Sequence, residues 1–336
     1  MMSLSIQATW LRGDIRSKLS GISKAKFKFI ELTENDLIDA KEDGEDLKAL
    51  LLEYGLRLSI FEISSNLQGI NNNPDKETIK KIDLKFEVAK SLGSKLILLK
   101  STILKQNYLD CSSIERALKY IALRASYFRV RVAYMSIPTD FSIGNVDPAI
   151  KTIESIGSPY LGLAINSLYA LSNGSRPSEL RDVPIHSIFH VQLCDGYVQQ
   201  PATEEQSSHS DMLPGQGNLN LAGFVKVIAA SGYKGSWSLA KIDSKKAKKS
   251  FIDNAYDAYR ALVNLLDEVE RSHPQIKFET PNMPARVYTS GVEFLEFSVD
   301  DESHYQITQI LSSLCFRMER KHISKAVELW RQGSVN

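Results

Sequence analysis

The chain has 336 residues, a formal net charge of +1, and 43% hydrophobic and 24% charged residues, proportions ordinary for a globular protein with one large domain and a smaller one. The near-neutral balance gives no electrostatic basis for binding nucleic acid or an anionic membrane, no apolar run reaches the roughly 18 residues that span a bilayer, and the start, "MMSLSIQATWLRGD", lacks a signal-peptide pattern. Three widely spaced cysteines, Cys111, Cys194 and Cys315, form neither a CxxC pair nor a disulfide framework and fit a reducing cytoplasm.

In chain order, short β-rich runs alternate with amphipathic segments up to about residue 270. The runs are "LSIQAT", "FKFIEL", "LRLSIFE", "KLILLK", "RVRVAYM", "YLGLAIN", "SIFHVQL" and "GSWSLAK". Between them lie helical patterns such as "IRSKLSGISKA", "KETIKKIDLKFEVAKSL" and "SIERALKYIALRA". Eight strands in strict alternation with helices predict an α/β fold, a closed (β/α)8 TIM barrel over residues 1–270. A doubly wound open sheet usually has fewer strands and a nucleotide loop after the first, but "WLRGDIRS" follows here, with no GxGxxG. The proline-rich stretch over 271–286 reads as a linker. From residue 287 the pattern changes to an alternating run "GVEFLEFSVD", a helical "DESHYQITQILSSLCF" and two further strands, a short α+β unit of βαββ order over 287–336. So small a unit is marginal as an independent core. It packs on the barrel, pairs with another copy to make a homo-oligomer, or begins something longer.

Side chains alternate inward and outward along barrel strands. One face of the fifth run carries Arg131, Ala133 and Met135, and one face of the sixth carries Gly162, Ala164 and Asn166. His190 and Gln192 share a face of the seventh, as do Ser236, Ser238 and Ala240 of the eighth. These sets, Arg131 apart, are smaller or more polar than their opposites. They end at the C-terminal strand ends, where barrel active sites lie. Parity therefore gathers Met135, Asn166, Gln192 and Ala240 around one site.

Several stretches in order resemble one family, the bacterial two-domain 3-dehydroshikimate dehydratases. They are "IELTENDLI", "GLRLSIFE", "VAYM", "LGLAINSLYALSNG", "FHVQLCDG", "LPGQGNLNLAGF" and "SGYKGSWSL". The tail "GVEFLEFSVDDES" with "HISKAVELWRQG" resembles the opening of that family's 4-hydroxyphenylpyruvate dioxygenase-like domain, a partial vicinal-oxygen-chelate unit. The resemblance implies a xylose-isomerase-like barrel of the sugar phosphate isomerase/epimerase type. It also implies a lyase that forms protocatechuate with a divalent metal, Mg²⁺ or Mn²⁺, polarising the substrate carbonyl. The family's ligands fall on the four parity positions as Glu, Asp, Gln and Glu. Here they are Met135, Asn166, Gln192 and Ala240: a thioether, two neutral amides and a methyl group. Hard cations want anionic oxygen ligands, so the expectation is no metal and no cofactor. The family's histidine after the sixth strand corresponds to Tyr169, a basic loop residue to Asp211, and an arginine after the third strand to Ser65.

Other pocket positions carry open alternatives. Asp195 is a pocket residue or a helix cap, and Glu34 belongs to a pocket loop or simply starts a helix. Lys100, Tyr169 and Asp195 are candidates for acid/base work in a rebuilt site. His190, one layer below Gln192, fits a hydrogen-bonded core residue, and "KIDSKKAKK" fits a solvated helix start. Two functions stay in view. One is a non-catalytic relative, a pseudoenzyme that binds a small molecule or serves interactions. The other is an active lyase or isomerase, on 3-dehydroshikimate or a related sugar-like substrate, with a rebuilt site. Partners expected are a small-molecule ligand and a second copy, with no nucleic acid and no membrane.

Overall fold

A strand covered on both faces needs apolar side chains at nearly every position, and Leu96-Ile97-Leu98-Leu99 supplies them in full. In the computed structural model, which describes residues 3–63, 74–100, 111–137, 147–171, 174–197, 212–240, 251–288 and 290–335, this run is β4 (Leu96–Lys100). The other barrel strands are β1 (Leu4–Gln7), β2 (Phe29–Thr33), β3 (Arg57–Ile63), β5 (Arg131–Met135), β6 (Leu161–Asn166), β7 (Ile188–Leu193) and β8 (Trp237–Leu239). All eight are parallel, each pairs with its sequence neighbour, and β8 returns to β1 through Leu4 opposite Trp237. The expected eight-stranded TIM barrel is therefore closed.

Helices α1 (Ile15–Lys24), α2 (Glu34–Glu42), α3 (Leu47–Glu53) and α4 (Lys76–Ser91) follow the first three strands. After them come α5 (Cys111–Phe128), α6 (Asp147–Ile156), the short α7 (Ser167–Leu171), α8 (Leu221–Ala230) and α9 (Phe251–Ser272). Their starts are set by side chains that accept the otherwise orphaned first-turn amides. Asp14 accepts from Ser17 N at 2.8 Å and Asp75 from Thr78 N at 2.7 Å. At α2, Thr33 and Asp36 form a reciprocal capping box, which makes "ENDL" a helix start. The barrel unit runs through Pro281. Past α9, Ile276 and Phe278 are buried, and Phe278 meets the fully buried Trp237 edge-on at 5.7 Å. Among the described residues no helix is long and apolar enough to cross a membrane.

Residues 282–336 form a second unit. It contains α10 (Asp301–Ser313), capped by Asp300, and an antiparallel pair, β9 (Arg317–Lys321) and β10 (Glu328–Arg331). The expected leading strand of the βαββ order is not formed: residues 290–300 take no regular structure. Alternation suits a segment to a sheet, but a strand exists only with a partner for its backbone groups, and the two-stranded sheet does not supply one. No described residue of 282–335 is buried.

Candidate functional site at the C-terminal strand ends

Met135, Asn166, Gln192 and Ala240 are all almost fully buried. Met135 packs with Ile60, Leu98, Ala133 and Ala164 in an apolar cluster inside the barrel, with half-buried Tyr169 against it. Asn166 lies opposite Gln192 in the β6–β7 register and donates from Nδ2 to Gln192 Oε1 at 3.3 Å. Asn166 Oδ1 accepts from Leu168 N at 2.9 Å, which caps the first turn of α7. Gln192 Nε2 donates to Glu31 Oε2 at 2.7 Å.

Glu31 was not singled out from the sequence. It rises from β2 into the barrel centre, 1% exposed, and its Oε1 meets His190 Nε2 at 2.5 Å. Burial alone would raise this carboxyl. The charge interaction with His190 and the hydrogen bonds of His190 and Gln192 outweigh that and hold it below the usual glutamate value. His190 is thus a hydrogen-bonded residue of the barrel interior, although its Nδ1 is buried with no partner among the described residues.

A second buried carboxylate, Glu62, ends the inward face of β3. Lys100 Nζ, at the end of β4, ion-pairs with Glu62 Oε1 at 2.6 Å, and Gln7 Nε2 of β1 donates to Glu62 Oε2 at 2.9 Å. Burial pushes the Glu62 carboxyl up, Lys100 pulls it down, and the charges of Glu31 and Asp36 help to keep the net direction upward. Lys100 remains partly exposed. The parity used on β5–β8 would have found Gln7, Glu31 and Glu62 on the inward faces of "LSIQ", "FIELT" and "RLSIFEI". Charge therefore sits on β2–β4 and β7, and the mouth positions of β5, β6 and β8 are neutral.

Asp195 is neither a free pocket acid nor a helix cap. Oδ1 accepts from Gly196 N at 2.8 Å and Leu219 N at 3.4 Å, and Oδ2 from Gly215 N at 2.9 Å and Gly217 N at 3.0 Å. The carboxylate gathers the backbone amides of the loop after β7. Gly217 is needed there because a Cβ would stand 2.1 Å from Gly196 O and 2.5 Å from Asp195 Oδ1. Glu34 turns to Lys85 of α4 in an ion pair. Ser65, Asp211 and the lysine run 241–249 lie outside the described residues.

A divalent cation fits this donor set poorly. The Asn166 and Gln192 oxygens already accept hydrogen bonds, and Met135 and Ala240 offer no hard ligand. Both Glu31 oxygens are held by His190 and Gln192. Among the described residues, no group of three or more His, Cys, Asp or Glu could hold a metal ion.

Residues 20–269 match the xylose isomerase-like TIM barrel model, and the chain belongs to that family. Over 343 aligned residues it is 29% identical to proteins named 3-dehydroshikimate dehydratase from Pseudomonas aeruginosa and from Pseudomonas putida. Those alignments take in all of this chain and 54% of each relative, so the chain spans about half the length of these curated relatives. A solved xylose isomerase-like TIM barrel/4-hydroxyphenylpyruvate dioxygenase fusion protein superposes with a TM-score of 0.80 at 27% identity, covering 99% of this chain and 55% of that one.

Proposed function

We propose that this chain is a pseudoenzyme of the dehydratase type, a barrel that binds a small molecule at the C-terminal ends of its strands without metal-dependent dehydration. The observation that supports it best is the Asn166–Gln192–Glu31–His190 chain of hydrogen bonds. It ties the remaining polar groups of the parity positions to one another, with Met135 and Ala240 completing the packing. Removing a carbonyl-adjacent proton at neutral pH requires something to stabilise the developing enolate, and Met135, Asn166, Gln192 and Ala240 offer neither charge nor an open coordination position.

The test is metal analysis of the purified chain beside an assay of protocatechuate formation from 3-dehydroshikimate with added Mn²⁺ or Mg²⁺. The expected outcome is substoichiometric metal and no product. Stoichiometric metal together with turnover would overturn the proposal.

The rebuilt-site alternative is favoured by one observation, the Glu62–Lys100 pair at the ends of β3 and β4. A buried carboxylate with a raised pKa can accept a proton from a carbon next to a carbonyl. The ammonium beside it can hydrogen-bond to the resulting enolate oxygen. Turnover that survives EDTA and disappears in Glu62→Gln would put this alternative in place of the first.

A further inference from the structure

We propose that the C-terminal unit is a dimerisation element, in which residues 291–299 of one copy add as an antiparallel strand to the free edge of β9 in a second copy. This is independent of the function proposed for the barrel. The segment "GVEFLEFSV" has the alternation of a strand but no strand partner, and Phe294 and Phe297 are 61% and 57% exposed. Val292, Phe294, Leu295 and Phe297 are all more than half exposed, apolar surface of the kind an interface core buries. Among the described residues β9 pairs only with β10, which leaves its other edge of the kind that accepts an added strand.

Charge and register choose the occupant. Among the described residues Glu293 and Glu296 have no ion pair, and neither do Arg317 and Arg320 of β9. By contrast Lys321 is paired with Glu328 at 3.1 Å, and Glu319 with Arg331 at 3.5 Å. Both unpaired sets are three residues apart. One antiparallel register therefore sets Glu293 opposite Arg320 and Glu296 opposite Arg317, and the same register brings Leu295 opposite Met318 and Phe297 opposite Phe316. Cross-strand neighbours of this kind are the unit of sheet stabilisation.

Within one chain this register is out of reach. The segment runs straight into α10, because Asp300 is the residue that caps it, and only Leu314–Phe316 separate α10 from β9. A strand, one crossover helix and a second strand run parallel. The antiparallel match that satisfies both charge pairs requires another molecule, and two-fold symmetry lets each copy give one segment and receive one.

The experiment is light scattering on the eluting full-length chain at micromolar concentration, where the proposal expects twice the 37.7-kDa chain mass. Two surface variants, E293R/E296R and R317E/R320E, each place like charges opposite one another. Each should elute as a monomer, with association weakened on the order of a hundredfold. Mixed in equal amounts, they should form a heterodimer, since the basic segment of one then faces the acidic β9 of the other, and the reverse. A monomeric parent overturns the proposal. So do variants that stay dimeric, which move the interface elsewhere, and monomeric variants whose mixture stays monomeric, which remove β9 as the acceptor.

Discussion

If the mouth of this barrel once held a cation, restoring three carboxylates should make its stability depend on metal. The change is Met135→Glu, Asn166→Asp and Ala240→Glu together. All three positions are at most 3% exposed, so each new carboxylate enters with almost no solvent. An unpaired buried charge costs several kcal/mol, limited by protonation of the group. Asn166→Asp adds a local conflict. The Nδ2–H donor 3.3 Å from Gln192 Oε1 becomes an acceptor, so the Gln192 amide must turn and give up its bond to Glu31, at about 1–3 kcal/mol. The metal-free triple variant should therefore be destabilised by at least ~5 kcal/mol, the lower end of typical domain stability.

Metal bound only by the folded state returns stability by mass action, about 2.7 kcal/mol at a hundred times Kd. For a barrel this size that is an apparent Tm rise of roughly 4–5 °C. The assay is a thermal melt of parent and variant at neutral pH, in EDTA and in Mn²⁺. The parent should show no Mn²⁺-dependent shift. A comparable shift in the parent, or a variant indifferent to metal, would refute the assignment of these four positions to one site. Asn166→Asp alone is a useful control: it keeps the acceptor for Leu168 N, so its loss should be confined to the one buried charge and the Gln192 contacts.

Three further outcomes follow from the interior carboxylates and the loop they resemble in burial. Glu31→Gln breaks the buried pair with His190 and should cost about 3–5 kcal/mol, read by urea unfolding. Because the folded Glu31 value is lowered, its contribution is present above the ordinary 4.5 and lost as pH falls through the folded value; the Gln variant should lack that loss. Glu62 is shifted the other way, so its contribution is present at low pH and lost as pH rises from 4.5 through the raised folded value. The stability difference between Glu62→Gln and the parent should then move in the variant's favour over that range, and a constant difference would contradict the assignment. Gly217→Ala forces a Cβ onto Gly196 O and Asp195; it should cost about 2 kcal/mol or more and speed proteolytic cutting near 212–219, and an unchanged melt would rule out that loop geometry.

The barrel was legible because strand and helix periodicities alternate cleanly, and parity on β5–β8 located Met135, Asn166 and Gln192 where they stand. The other half of the interior went unread for a physical reason. An intact polar residue at an inward position of β1–β3 leaves no contrast in the sequence to mark it. Yet Gln7, Glu31 and Glu62 obey the same alternation. Asp195 illustrates a different limit: its partners are backbone amides of a glycine-rich loop twenty residues on, and backbone donors leave no side-chain signature. The leading strand of the C-terminal unit failed because alternation reports what a segment can bury, while strand formation depends on an edge to receive it.

The distribution of charge accounts for where buried carboxylates are tolerated in this interior. A buried carboxylate is tolerated only with a compensating charge and hydrogen bonds. Glu31 has both from His190 and Gln192, and Glu62 has both from Lys100 and Gln7. Neither depends on anything outside the chain. At the Met135 position a carboxylate would meet Leu98, Ala133 and Ala164, and Lys100, its register partner on β4, is already paired with Glu62. The dehydratase resemblance implies a cation as the neutralising group for carboxylates on β5, β6 and β8. On the function proposed above, Glu at 135 and 240 without a cation would be a liability that Met and Ala avoid, and Asp at 166 would set an acceptor against the Gln192 Oε1 acceptor, which Asn avoids. On that proposal the three residues act as one electrostatic adjustment. On this argument Ala240→Glu alone should already be destabilised without metal, since it places a negative charge at a position only 1% exposed.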